Sequence, residues 1–501
     1  MSVAFVCLCA TAALRAQAGV PDFEFAVAWK RVATEFEAGC EQAGVVGASL
    51  AFVRGGEVSA FVHHGLADRS TGQPVDDSTI FHWASCTKSL TGIATMQLRD
   101  RGKLQLEQSV LSLVPELREV HDAAGALPAI TIRHLMQHTA GFRMATWPWG
   151  GTEAWQPHEP KHWSQLVAMM PYTNLEFAPG SRFSYSNFGI VLLGRAIEQL
   201  SGDDYEVYME KNVLRPLGMR SSYFDATPYH QQRHRSNSYE RGVDGSMRDL
   251  GADFDTGITV SNGGLNAPVT DMANYVSFLL GAREPGSDAA ATLARTSLDE
   301  MCLPAVPTSA DTRGEHMGLC FFVQEHAGQR VYTHTGGQHG FVSFFYVHPG
   351  SGTGAIAAFN TDSAGPVMQA IRRACIEQLS LPMTKQAADA PDGVLWKNVS
   401  LRLEREVGGA NQLVVTVPSG GHELHYERAT MDGDVVDVEV RLVKPAMGEV
   451  TTQAVEDLRA TLPPKDLGGA KRVRIRMAVW QRGVQYFAEP EHELAATLVL
   501  R

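Results

Sequence analysis

Two apolar runs, residues 47–53 and 58–63, flank Arg54-Gly55-Gly56-Glu57 and predict a β-hairpin. Further on the period lengthens. After Phe81-His82-Trp83-Ala84, apolar residues recur at Leu90, Ile93, Ala94 and Leu98, which predicts a helix opening at Ser85 and stopped by Arg101-Gly102. Residues 131–138 read as a short helix ended by Thr139-Ala140-Gly141, and Phe177-Ala178-Pro179-Gly180 as a turn. Residues 190–200 form a strongly apolar helix, and Ser261-Asn262-Gly263-Gly264-Leu265 precedes another over 270–280. Residues 331–335, 341–348 and 354–360 read as three successive antiparallel strands, followed by a closing helix over 368–379. Between 142 and 176 the pattern is irregular and carries Trp147, Trp149, Trp155 and Trp163. That stretch is either a wall or lid over a cleft or the packing of a long loop.

The pattern changes after residue 381. Residues 384–396 are polar and turn-rich and read as a linker. Residues 399–405, 412–417, 435–443, 472–481 and 494–500 then alternate as strands do, so 397–501 is expected to be a β-rich unit, a sandwich or small barrel. With 501 residues the chain exceeds what one core spans. The expected layout is a leader over 1–18, a first domain over 19–383, the linker, and the β-rich unit. Residues 1–18 resemble a secretory signal, with an apolar run over 3–14 and Ala16-Gln17-Ala18 as a small-x-small cleavage site, but lack a basic n-region. The expected location is periplasmic or secreted, with cytoplasmic as the alternative. No later segment is long and apolar enough to span a bilayer.

A net charge of −12 argues against nucleic acid or an anionic membrane as partner. Arg233-His234-Arg235 reads as a solvated loop, and Arg472, Arg474 and Arg476 as the wet face of a strand. Beyond Cys7 and Cys9 in the leader, five cysteines remain at positions 40, 86, 302, 320 and 375, an odd set with no CxxC pair. His63, His64, His138, His158 and His162 lack zinc-site spacing and read as loop or packing residues, so no metal and no cofactor are assigned. His339 remains a candidate for lining a cleft.

Three short motifs carry chemistry. In Ser85-Cys86-Thr87-Lys88, a hydroxyl and an amine three residues apart share one helix face. A neutral lysine there takes the serine proton and makes a nucleophile; the bland reading is a helix cap. Cys86 is turned about 100° away on the helix and reads as packing. In Tyr185-Ser186-Asn187, residues two apart on an extended segment project to one side, a phenol to relay a proton and an amide to orient a carbonyl or the lysine. His334-Thr335-Gly336-Gly337 stands at the end of a predicted strand, where glycine lets substrate approach the backbone.

At these residues the chain resembles the serine β-lactamase and penicillin-binding-protein superfamily. It is most similar to the branch of class C β-lactamases, family VIII carboxylesterases and D-aminopeptidases, over about residues 47–381. Residues 131–141, Pro179-Gly180, Pro216-Leu217-Gly218-Met219 and Gly263-Gly264-Leu265 add to the likeness. The resemblance implies an α/β (α+β) transpeptidase-like fold, an antiparallel sheet flanked by helices with a helical region inserted. It implies Ser85 as acylated nucleophile, Lys88 as base and Tyr185 as proton shuttle. Asn187 would bind substrate and Lys88, and His334, Thr335 and Gly336 would bind substrate. The N–H groups of Ser85 and Gly337 would form the oxyanion hole. His334 stands where many members carry a lysine, and a neutral group there tilts the expectation toward esters or other peptides and away from β-lactams. The expected activity is hydrolysis of ester or amide bonds, as in a carboxylesterase or D-amino-acid peptidase. The alternatives are a β-lactamase or D,D-carboxypeptidase, and a non-catalytic penicillin-binding sensor. A small molecule or peptide is the expected partner, with an oligomer through the β-rich unit left open.

Overall fold

The computed structural model describes residues 22–142, 160–282, 287–309, 314–326 and 328–381, and eight strands between 393 and 499. The leader, and Trp147, Trp149, Trp155 and His158, lie outside the described residues. The chain divides into two compact units, 1–381 and 382–501.

The first unit is organised by a nine-stranded sheet. α1 (Asp22–Ala43) leads into β1 (Gly47–Arg54) and β2 (Glu57–Asp68), the hairpin read from the sequence, with the second strand longer than expected. Gly55 and Gly56 make its turn with φ of 57° and 89°, which two successive L side chains would resist. β3 (Phe322–His326), β4 (Gln329–Gln338), β5 (Phe341–His348) and β6 (Thr353–Phe359) follow as antiparallel neighbours, and β6 closes back on β1 with Ala48 opposite Phe359.

Alternation along the central strands divides the core in two. Leu50, Phe52, Phe344, Tyr346, Ala355 and Ala357 face the stripe Val32, Phe36 and Cys40 of α1 and Val367, Ile371 and Cys375 of α6 (Gly365–Cys375). Ala51, Val53, Phe345, Val347, Ile356 and Ala358 point the other way, into the helical region. Both faces are covered, so β1, β5 and β6 read as nearly unbroken apolar runs.

The helical region contains α2 (Thr87–Asp100), α3 (Ile132–Met136), α4 (Asn187–Ser201) and α5 (Val269–Leu279). α4 is capped by the Ser186 hydroxyl, which accepts the Gly189 N–H at 3.1 Å, and ends at Gly202 in the left-handed conformation with φ 77°. Three boundaries differ from the sequence reading. A 3-10 turn, Ala84–Cys86, precedes α2. Asn187 opens α4 and does not extend the strand-like segment before it. The segment His334-Thr335-Gly336-Gly337 lies inside β4, which runs on to Gln338. Trp163 opens the helix Trp163–Met169 and donates to Glu116 Oε1 at 3.1 Å, packing the start of that helix onto the unit.

In the second unit the strands form two four-stranded sheets, with Val435–Lys444 parallel to Arg472–Gln481. Gly393–Trp396, expected to be linker, pairs with Val399–Arg405 as a strand, and Glu423–Asp432 and Glu456–Leu462 are strands beyond the sequence reading. Leu413, Val436 and Val438 are buried.

Candidate active site

Ser85 sits in the turn that joins the short strand Ile80–His82 to α2. Ala84, just before it, is held at φ 46°, a left-handed conformation that costs an L residue of order 1 kcal/mol or more. The turn is clamped from several sides. Trp83 donates through Nε1 to the Ala267 carbonyl at 2.9 Å, and its own carbonyl accepts from Ser343 Oγ at 3.0 Å. The Cys86 thiol reaches the His334 carbonyl and Ser343 at 3.6 Å, a buried anchor; burial pushes its pKa up to about 12. β4 approaches this turn so closely that a Cβ on Gly336 would lie 2.2 Å from the Trp83 carbonyl oxygen.

One turn along α2, Lys88 is fully buried. Its Nζ lies 2.9 Å from Ser85 Oγ and donates to the Asn262 carbonyl at 2.6 Å. Burial lowers its pKa from 10.5 to about 7. A drop of that size corresponds to about 5 kcal/mol of disfavour for the cation. With one N–H committed to Asn262, the neutral amine has a lone pair available for the serine proton.

Tyr185 completes the contact set. Its ring stands 5.1 Å from Lys88 Nζ. Burial raises its phenol pKa, against the opposing pull of a hydrogen bond with Ser85. Tyr185 therefore holds its proton at neutral pH, and its hydroxyl is within hydrogen-bond reach of Ser85.

Two histidines border this cluster. The His334 ring is 6.4 Å from that of Tyr185 and 5.2 Å from that of Phe322. Its Nδ1–H donates to the Thr335 carbonyl at 2.7 Å, and Nε2 is buried with no hydrogen-bond partner among the described residues. Burial, and secondarily Lys88, lowers its pKa to about 3. His138, whose spacing in the sequence reads as loop or packing, is also here, with its ring 4.5 Å from that of Tyr185. Burial, then Lys88 and His334, hold it well below its ordinary pKa. Its sequence signals are the short-helix pattern over 131–138 and the family likeness of residues 131–141, and neither says where the ring goes.

The structure thus brings Ser85, Lys88 and Tyr185 into direct contact and sets His334 beside them. Asn187 follows two residues after Tyr185, at the first position of α4. Thr335 pairs with Phe344 and Gly337 with Val342 on β5. A Cβ on Gly337 would meet nothing within 4 Å, so this glycine faces open space while Gly336 is packed. The Asn262 carbonyl was not singled out from the sequence because a backbone acceptor leaves no residue-type signature. His339 is exposed at φ 48° with its ring 4.3 Å from Phe254. His63 bonds Ser49 and Asp77, and His64 the Val45 carbonyl.

Residues 31–378 match the Beta-lactamase family. Esterase EstB of Burkholderia gladioli is 31% identical over 218 residues, which make up 40% of this chain and 54% of that protein. The chain therefore spans about half the length of that relative. The D-alanyl-D-alanine-carboxypeptidase/endopeptidase AmpH of Escherichia coli K12 is 27% identical over 282 residues, 54% of this chain and 68% of that one. Among solved structures, the octameric penicillin-binding protein homologue from Pyrococcus abyssi superposes with a TM-score of 0.60 at 21% identity, covering 81% of this chain and 94% of that one. That likeness is one of fold.

Proposed function

This chain belongs to the Beta-lactamase family, and from that premise we propose that it is a serine hydrolase that cleaves uncharged ester or amide substrates through an acyl-enzyme on Ser85. In this reading neutral Lys88 takes the Ser85 proton as Oγ attacks the carbonyl. The Ser85 and Gly337 N–H groups receive the oxyanion, each worth a factor of roughly 10² to 10³. Tyr185 gives its proton to the departing oxygen or nitrogen and is reprotonated from the Lys88 ammonium. Water then attacks the acyl carbon by the reverse proton path and releases the acid. Asn187, His334 and Thr335 line the substrate side, while Gly336, which the resemblance also assigned there, is packed against the Trp83 carbonyl.

The observation that carries the substrate class is the neutrality of the third motif. The titratable groups set against Lys88 and Tyr185 are His138, His334, Cys86 and Cys320; burial lowers the two imidazoles and raises the two thiols, so all four are uncharged at pH 7. A substrate carboxylate entering there would give up its hydration without meeting a fixed cation among these described groups. This supports a carboxylesterase-like or neutral-amide activity over a β-lactamase or D,D-carboxypeptidase. A panel of p-nitrophenyl butyrate, a D-alanine amide and nitrocefin, run with wild type and Ser85→Ala, tests it. Turnover of the ester lost in Ser85→Ala is expected; a large preference for nitrocefin refutes the substrate class. Stable labelling of Ser85 without turnover would make the protein a sensor.

Export is proposed from the character of residues 1–18. The octameric state described for the Pyrococcus abyssi protein motivates the further proposal that this chain self-associates through its β-rich unit. Light scattering on the whole chain checks that.

A further inference from the structure

Tyr185 needs a fixed direction if its phenol is to serve Ser85, yet it lies on an irregular segment between the turn at Pro179-Gly180 and α4. That segment is held from the side by residues 138–141. The Glu176 N–H donates to the Gly141 carbonyl at 2.8 Å, the Gly180 N–H to the Thr139 carbonyl at 2.8 Å, and the Ser184 N–H to the His138 carbonyl at 2.8 Å. The next N–H on the same side of the extended backbone, that of Ser186, finds no further carbonyl. It donates at 3.1 Å to Nδ1 of the His138 ring. The N–H groups of Ser184 and Ser186 flank Tyr185, and both end on the same residue.

We propose that His138 is a positioning residue for Tyr185, gripping residues 184–186 as a neighbouring strand would, with its imidazole standing in for a second backbone carbonyl, and so aiming the phenol at Ser85. The proposal rests on the reading of Tyr185 as proton shuttle. His138 takes up a left-handed conformation with φ 54°, unusual for a residue with a Cβ, and in that conformation one residue presents both its carbonyl and its ring to the segment. Because a backbone N–H can only donate, Nδ1 is the acceptor and the proton sits on Nε2. That Nε2–H is buried and has no hydrogen-bond partner among the described residues. Such an orphaned donor costs about 1–3 kcal/mol. A purely structural position would shed that cost, whereas here the flat ring also lies against the Tyr185 ring, tilted by 31°, and backs it. Phe183 meets the same imidazole edge-on, at 5.9 Å.

The test is a double-mutant cycle on the full chain, with kcat and KM for a p-nitrophenyl ester and the rate of Ser85 labelling by a fluorophosphonate. His138→Ala is expected to lower kcat roughly 100-fold with KM within about threefold, the scale of a lost proton donor. His138→Asn tolerates the left-handed conformation and keeps an acceptor, so it is expected to lose only about tenfold. In a Tyr185→Phe background either change is expected to alter kcat by less than about threefold, since no phenol remains to be aimed. Should His138→Ala fail to fold, the His138→Asn cycle decides by the same criterion. Equal losses in both backgrounds, or undiminished activity of a folded His138 variant, overturn the proposal. Failure of the underlying reading would show separately, as undiminished activity of Ser85→Ala or Tyr185→Phe in the same series.

Discussion

Lys88 concentrates the energetics of the site in one amine. In the unfolded chain it titrates near 10.5 and in the folded chain near 7. Between those values the unfolded state holds more protons, so this residue makes stability rise with pH, and its burial cost is greatest below pH 7. Three consequences are measurable. The acylation rate should climb through an inflection near pH 7, as the amine loses its proton, and Lys88→Arg, which cannot deprotonate, should lose at least about 10³-fold in kcat/KM at every pH. Lys88→Met should be inactive yet should gain stability relative to wild type by about 3 kcal/mol on going from pH 9 to pH 6, read from urea melts at the two pH values. At the edge of the same cluster, His334→Lys puts back a cation. It should shift the ratio of nitrocefin to neutral-ester kcat/KM upward by about tenfold; an unchanged ratio would remove the electrostatic argument for the substrate class.

At the scale of elements, the site is a meeting of one turn with one strand. β4 can press against the 84–86 turn because Gly336 has no side chain, its missing Cβ otherwise lying 2.2 Å from the Trp83 carbonyl oxygen and 2.5 Å from Ser343 Oγ. Gly336→Ala should therefore push strand and turn apart, costing about 3 kcal/mol in a denaturant melt and most of the activity. Gly337→Ala is the contrasting case. Its Cβ would enter open space, so the melt should be unchanged within about 0.5 kcal/mol. Activity should still fall if Gly337 lies at the proposed oxyanion side, because the added methyl would crowd a substrate there. Equal melting losses for the two variants would contradict this division of labour. On the other side of the turn, the Asn262 carbonyl comes from the short helix Val260–Gly263, which Thr91 ties to α2 through the Ser261 carbonyl at 2.6 Å.

Over the whole molecule, both hydrophobic clusters draw all their described members from residues 25–381. The five described cysteines are free and buried, so packing carries the stability there without a disulfide. A chain ending at Leu381 is accordingly expected to unfold cooperatively and to hydrolyse a small aryl ester within about threefold of the full-length rate, since no residue of the proposed machinery lies beyond Gly337. Loss of cooperative unfolding in that truncation would make the β-rich unit part of the catalytic fold. A gain confined to large substrates would make it a restriction on access.

What the sequence alone determined is local. Ser85 and Lys88 share a face because a helix repeats every 3.6 residues, and the strands 341–348 and 354–360 announced themselves because a strand covered on both faces is a continuous apolar run. The order of the three motifs was enough to place the chain in its superfamily. What only the tertiary structure decided depends on groups without a residue-type signature or on burial. The Asn262 carbonyl on Lys88, the ring of His138 turned onto Tyr185 by a left-handed backbone, and the different duties of Gly336 and Gly337 all arise from segments distant in sequence. The charge state of the site belongs with them. The desolvation that holds Lys88 near 7 and His334 near 3 is a property of what surrounds a side chain, and a chain must fold before its residues have surroundings.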